Sequence, residues 1–354
     1  MKMKKIATIT FHWATNYGAV LQAYALQQYL IQHNYTTEII DYVPVRVKTI
    51  QMLTSVLSRD FNFFKKENKI RKFRKKEIVL TSKRFGTNKA LRKCADKYDA
   101  VICGSDQIWN ESFTLSAEGR PTLSYYLDFV GKTTKKISYA VSFGTTELRE
   151  NVKKLVAPHI ADFKNLSVRE NSGKDILRDL GVNSTVVVDP TMLLSREAYD
   201  ALAEKCECKK SKVFSYIIQK NQTNAEKTCA YIASLLGQKQ KENVYDVNCG
   251  IYEWLNSIKN SEIVVTNSFH GVAFSIIFQT PFIAVAVEKS GMNDRIYTLL
   301  SSLGLDNRIV DKYDESAIDR ILSERIDWNN TQIKLDALRK SSAEFLMEAL
   351  EDED

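Results

Sequence analysis

The chain has 354 residues, 44% of them hydrophobic and 26% charged, with Lys and Arg exceeding Asp and Glu by 50 − 43 = 7. That length is too great for one ordinary core and predicts two α/β domains of a globular protein, with no apolar run long enough to span a bilayer. The basic start Met1-Lys2-Met3-Lys4-Lys5 runs into a strand-like segment with no small-residue cleavage site, which predicts a cytoplasmic protein.

Six cysteines are scattered at 94, 103, 206, 208, 229 and 249. Only Cys206 and Cys208 are close, no second pair stands at zinc spacing, and free thiols are expected. Four histidines (12, 33, 159 and 270) are too dispersed for a zinc site, so no metal is expected. A magnesium ion held on phosphate stays open. No oligomeric state follows from the sequence.

In chain order, residues 5–11 read as a strand, 12–18 as a polar loop, and the stripe Ala19, Ala23, Leu26, Leu30 as a helix. A strand over 38–42 is stopped by Pro44. Residues 45–95 are helical, basic and without motif, and read as an insertion or a lid. Thirteen basic residues lie over 65–93 against only Glu67 and Glu77. No nucleic-acid motif accompanies them, so no nucleic-acid partner is expected. Two readings remain: a solvated helical face, or a peripheral contact with anionic membrane through residues 61–93, favoured by Phe61, Phe63 and Phe64.

A short buried strand over 100–103 ends in the turn Gly104-Ser105-Asp106, where Asp106 suits a helix N-cap, a sugar-hydroxyl contact, or both. Strands follow over 136–143, 166–169 and 185–189, with helices over 151–163 and 174–180. Arg169 stands at a strand's carboxyl end, where a guanidinium binds carboxylate or phosphate through two parallel bonds, or pairs with an acid. Its neighbour Glu170 points to the opposite face and is a poor partner.

The alternation repeats as a strand over 212–218, a helix over 224–236, a strand over 243–247 and a helix over 251–259. A buried strand over 263–266 comes next, then the polar turn 267–271, an apolar helix over 272–278 and a buried strand over 282–287. The turn holds Ser268, His270 and Gly271, where a helix N-terminus offers N–H groups to an anion. For His270 a helix cap and a functional role both stay open. Arg295 leads into a helix over 296–303, a short strand covers 308–310, and an amphipathic helix over 331–350 closes the chain. These strands and helices predict an α/β fold of two Rossmann-like domains, 1–194 and 195–354.

Four stretches resemble the polysaccharide pyruvyl transferase family: Asn-Tyr-Gly-Ala-Val-Leu-Gln-Ala-Tyr-Ala-Leu at 16–26, Gly-Ser-Asp-Gln-Ile-Trp-Asn at 104–110, Ser-Val-Arg-Glu at 167–170, and Ser-Phe-His-Gly at 268–271. The resemblance implies glycosyltransferase-B-like domains facing across a cleft, with the last helix returning to the first domain. It implies transfer of pyruvate from phosphoenolpyruvate onto two sugar hydroxyls, with no cofactor besides that co-substrate. The acceptor it implies is a glycan or a lipid-linked sugar. His270 and Arg169 are then the expected catalytic residues. Ser268, Gly271, Arg295 and Lys289 are expected at phosphoenolpyruvate, helped by the free amides of 269–271. Asn16, Tyr17, Ser105 and Asp106 are expected at the sugar. The rivals are a sugar-nucleotide-dependent glycosyltransferase of the same fold and a non-catalytic carbohydrate-binding relative.

Overall fold

The computed structural model describes residues 3–57, 61–114, 122–207, 210–218, 223–237, 249–288 and 290–351. The chain divides into two units, Met1–Leu194 with Leu338–Asp354, and Ser195–Ala337. The strand expected over 243–247 lies outside the described residues, as does Lys289.

Unit 1 begins with β1 (Lys5–Ile9), α1 (Tyr17–Gln32) and β2 (Thr36–Ile39). With β3 (Ala100–Cys103) and β4 (Lys135–Ser138) they make a parallel sheet of order β2-β1-β3-β4, in which Ile6 stands opposite Thr37 and Ala100. Every residue of β3 is buried, as a parallel strand covered on both faces requires. Helix α1 buries thirteen of its sixteen residues, so it is apolar all round rather than striped.

The strand expected over 136–143 is shorter than its apolar run. β4 ends at Ser138, and Ala140 adopts a positive φ of 52°. Serine side chains replace the ladder there. Ser138 Oγ accepts from the Ser167 N–H at 2.8 Å, Ser167 Oγ donates to the Ser138 carbonyl at 2.8 Å, and the Ala140 N–H donates to Ser167 Oγ at 3.1 Å. Pairing resumes where Val141 bridges both Asp106 and Val168, and β5 (Ser167–Val168) then pairs β6 (Thr185–Val186) in parallel. Helices α4 (Glu150–Ile160) and α5 (Asn171–Asp179) flank β5 in sequence.

The basic segment forms α2 (Val45–Leu57) and α3 (Phe61–Glu77). Chain beyond α3 runs beside β2 through the bridges Ile39 to Leu80 and Tyr42 to Phe85, so the segment is tied to the sheet edge. Helix α3 turns Ile70, Phe73 and Arg74 inward.

Unit 2 holds α6 (Arg196–Ala203), β7 (Val213–Tyr216), α7 (Thr223–Leu235), α8 (Ile251–Lys259), β8 (Ile263–Thr266), α9 (Phe269–Phe278), β9 (Phe282–Val285), α10 (Asp294–Leu303), β10 (Ile309–Val310) and α11 (Glu315–Ser323). Its sheet is parallel throughout, in the order β10-β9-β8-β7. All ten residues of α9 are buried, and Phe274 at its centre meets Tyr199 and Trp254 edge to face at 4.9 and 5.3 Å. The 24-residue helix α12 (Trp328–Glu351) starts in unit 2 and ends in unit 1. In unit 1, Ser342 Oγ accepts from the Val188 N–H at 3.0 Å and Arg339 Nε donates to the Met192 carbonyl at 2.7 Å.

Candidate active site

In unit 2 the chemistry-bearing residues gather where β8 ends and α9 begins. The helix starts at Phe269, three residues earlier than the polar composition of 267–271 suggests, so His270 and Gly271 lie in its first turn. Ser268 is the N-cap, its Oγ accepting from the Gly271 N–H at 3.3 Å. This corrects the expectation that the amides of 269–271 are all open to an anion, since that of Gly271 is capped. A hydroxyl that accepts still has its own proton to give, so Ser268 keeps a donor.

Thr266 locks this turn from beneath. Its Oγ1 donates to the Tyr216 carbonyl at 2.6 Å and accepts from the Ser268 N–H at 3.0 Å. Gly271 packs against the same threonine so closely that an added Cβ would run into Thr266 Oγ1. His270 is 6% exposed, and its ring meets Phe269 edge to face at 5.2 Å. On the same phenylalanine the Arg295 guanidinium lies 5.9 Å from the ring centroid. Asn293 holds the loop before α10, accepting from the Val287 N–H at 2.9 Å and donating to the Val287 carbonyl at 2.7 Å. The structure thus gathers Ser268, His270, Gly271 and Arg295 around Phe269 at the positive end of a helix.

Unit 1 gathers a second set around a residue that the sequence marks only as a strand exit. Asp189 Oδ2 accepts from Arg169 Nη1 at 2.7 Å and from Ser105 Oγ at 2.8 Å, while its Oδ1 accepts from the Thr191 N–H at 3.0 Å and Thr191 Oγ1 at 2.7 Å. The Arg169 side chain is 1% exposed. Its expected place as an anion clamp is therefore corrected: the guanidinium is engaged with a buried carboxylate, the acid-pair alternative. Glu170 points the other way, its Oε1 accepting from the Phe143 N–H at 3.0 Å.

Asp106 has a positive φ of 80°, accepts from the Gln107 N–H at 2.9 Å and lies 3.8 Å from Arg169 Nη2. It caps no helix. Ser105 is wholly buried, and its carbonyl accepts from Thr10 Oγ1 at 2.8 Å, which itself accepts from Gln22 Nε2 at 2.8 Å. Asn16 is the N-cap of α1, accepting from the Ala19 N–H at 3.1 Å. Tyr17 is completely buried, with the Lys66 ammonium 4.2 Å from its ring centroid, so its ring is core rather than sugar platform.

A cavity of about 450 Å³ adjoins the carboxyl ends of β1 and β2, lined among others by His12, Trp13, Asp41, Arg74 and Arg84. His12 Nδ1 lies 3.2 Å from the Thr10 carbonyl oxygen and Nε2 3.1 Å from Asp41 Oδ1; Arg84 Nε donates to Asp41 Oδ2 at 2.9 Å. Burial works to raise the Asp41 pKa, but the bonds and charges of His12 and Arg84 outweigh it and hold the carboxyl below its ordinary value. Arg74 Nη1 donates to the Trp13 carbonyl at 2.8 Å and Nη2 pairs with Glu67. The signal for His12 was available in the sequence: a histidine directly after the first strand, at the end where ligands of α/β sheets sit. Among the described residues no group of three His, Cys, Asp or Glu side chains comes together to hold a metal ion.

Comparison with known proteins adds three findings. The model of the polysaccharide pyruvyl transferase family matches residues 16–289. No curated protein matches the sequence. Solved structures match over nearly the whole chain. UDP-N-acetylglucosamine 2-epimerase from Rickettsia bellii shares 10% identity over 98% of this chain and 97% of that one, with a TM-score of 0.51. A putative UDP-N-acetylglucosamine 2-epimerase from Listeria monocytogenes shares 10% over 100% and 98%, at 0.50. Arabidopsis thaliana UGT89C1 complexed with UDP-L-rhamnose shares 13% over 99% and 99%, also at 0.50. At such identities the likeness is one of fold: α/β with parallel sheets, glycosyltransferase-B-like.

Proposed function

The chain belongs to the polysaccharide pyruvyl transferase family, and from that premise we propose that it moves pyruvate from phosphoenolpyruvate onto two hydroxyls of one sugar. The sugar is part of a cell-surface polysaccharide or its lipid-linked precursor. The supporting observation is the unit-2 cluster: His270 in the first turn of α9, with the Ser268 hydroxyl beside it and Arg295 across Phe269.

The reaction needs a proton on the methylene carbon, which makes the central carbon electrophilic. One sugar hydroxyl attacks that carbon, phosphate leaves with the bridging oxygen, and the second hydroxyl closes the ketal. Two hydroxyl protons are lost in all; one balances the new methyl group and the other leaves on phosphate. His270 carries the proton to the methylene or to the departing phosphate. Arg295 and the dipole of α9 neutralise the carboxylate and phosphate charges. Asp106, the partly exposed member of the unit-1 network, is assigned to a sugar hydroxyl. Arg169 is a positioning residue that holds Asp106 and, through Asp189, Ser105.

The test incubates purified protein with phosphoenolpyruvate and an acceptor library, reading phosphate release together with the pyruvyl-ketal mass increment. UDP-sugars replace phosphoenolpyruvate in a parallel arm. His270→Asn, chosen because the site is buried and alanine would leave a hole, should lose about 10²–10⁴-fold in turnover, the usual worth of a general acid. Product in the UDP-sugar arm only would overturn the reading in favour of a glycosyltransferase. Full turnover by His270→Asn would return that residue to a helix-packing role.

A further inference from the structure

The α2–α3 segment exposes apolar surface that none of the described residues covers. Among the described residues, eight of the seventeen exposed large hydrophobic side chains fall over 45–64: Val45, Ile50, Met52, Leu53, Val56, Leu57, Phe61 and Phe64. Leu57 is 82% exposed and Phe61 70% exposed, at the facing ends of the two helices. Apolar surface concentrated in this way on a soluble protein marks an interaction site.

Charge decides what covers it. Helix α3 is anchored by Ile70, Phe73 and Arg74, and it exposes Lys65, Lys69, Arg71, Lys72, Lys75 and Lys76. Its two acids, Glu67 and Glu77, are only partly exposed; Glu67 pairs with the inward Arg74, and Glu77 lies 4.0 Å from Lys76. An apolar tip flanked by an acid-poor cationic helix matches the boundary between headgroups and acyl chains in an anionic bilayer. A second copy of this chain would bring six like charges per partner to the same contact, which disfavours self-association. The segment also lines the 450 Å³ cavity, where Phe63 and Phe64 stand with Arg71 and Lys75, a pairing suited to an anionic headgroup. Among the described residues no helix is long and apolar enough to cross a membrane, so the contact is peripheral.

We propose that α2 and α3 dock this protein on anionic lipid bilayers, the apolar side chains over 50–64 entering the interface and the α3 lysines meeting the headgroups. The docking is independent of whether unit 2 transfers pyruvate.

The test is sedimentation of the full chain with sucrose-loaded vesicles of phosphatidylcholine alone or with 30% phosphatidylglycerol, at low and high salt, with size-exclusion chromatography alongside. The expected result is partitioning onto anionic vesicles about tenfold or more above neutral ones, weakened by salt. Two variants separate the contributions. Lys65→Gln/Lys69→Gln/Lys72→Gln/Lys75→Gln should abolish the preference for anionic lipid. Leu53→Ser/Leu57→Ser/Phe61→Ser should lose the salt-resistant part of binding. Both change exposed positions, and circular dichroism should show native helix content in each. Wild-type protein that stays in the supernatant under every condition overturns the proposal. A solution dimer that the serine variant dissociates does so as well, since a second copy would then be the cover.

Discussion

Replacing Asp189 with alanine should destabilise unit 1 severely, and replacing Arg169 as well should restore part of that loss. The Asp189 carboxylate accepts four bonds, from Arg169 Nη1, Ser105 Oγ, and the Thr191 amide and hydroxyl. Neither side chain of the ion pair exceeds 1% exposure, so solvent cannot take over when one partner is removed. Stranding a buried charge costs about 3–5 kcal/mol. Against the usual total of about 5–15 kcal/mol, that is about a fifth or more of the stability of an ordinary domain. In Arg169→Met/Asp189→Leu both charges leave together, and the desolvation cost that the pair carries leaves with them. That variant should recover part of the loss, because no charge is stranded, but not all of it, because Ser105 Oγ and the Thr191 amide and hydroxyl still lose their acceptor. Urea unfolding by linear extrapolation measures the totals. Hydrogen exchange followed peptide by peptide assigns the loss to β3 and β4 rather than to β8 and β9. An alanine variant costing under about 1 kcal/mol, or a double variant as weak as the single, would refute the buried-pair reasoning.

Gly271→Ala should destabilise unit 2 by about 1–3 kcal/mol in urea unfolding, because Thr266 is bonded on both sides and cannot step away from the new methyl group; this outweighs the helix-propensity gain of up to about 1 kcal/mol. Unchanged stability would mean that Thr266 moves. The lowered folded-state pKa of Asp41 contributes stability that is present above the unfolded value of about 3.9 and is lost as pH falls through the folded value. Asp41→Asn should therefore melt below wild type at neutral pH, with the gap closing as pH falls below about 4; a gap constant with pH would contradict the linkage. Arg295→Lys should raise KM for phosphoenolpyruvate more than it changes thermal stability, since it keeps charge but loses the planar fork over Phe269; an unchanged KM would remove Arg295 from the anion site.

The sequence by itself determined the α/β alternation and the polar turn at the end of β8. Runs such as Ile263-Val264-Val265-Thr266 are local signals of buried parallel strands, and Ser268, His270 and Gly271 mark a polar turn leading into a helix. Only the tertiary structure decided what depends on neighbours distant in sequence. Arg169 meets Asp189 twenty positions on, because parallel strands align their carboxyl ends. Ser138 and Ser167 replace ladder bonds across twenty-nine positions, which cuts β4 short although its apolar run continues. Tyr17 goes into the core instead of facing ligand, and α9 starts at Phe269 because tertiary packing buries a turn that composition marks as polar. Propensity and periodicity act over a few residues. Which carboxylate a buried guanidinium finds, and which polar residue is left partly exposed as Asp106 is, are set by the packing of whole elements.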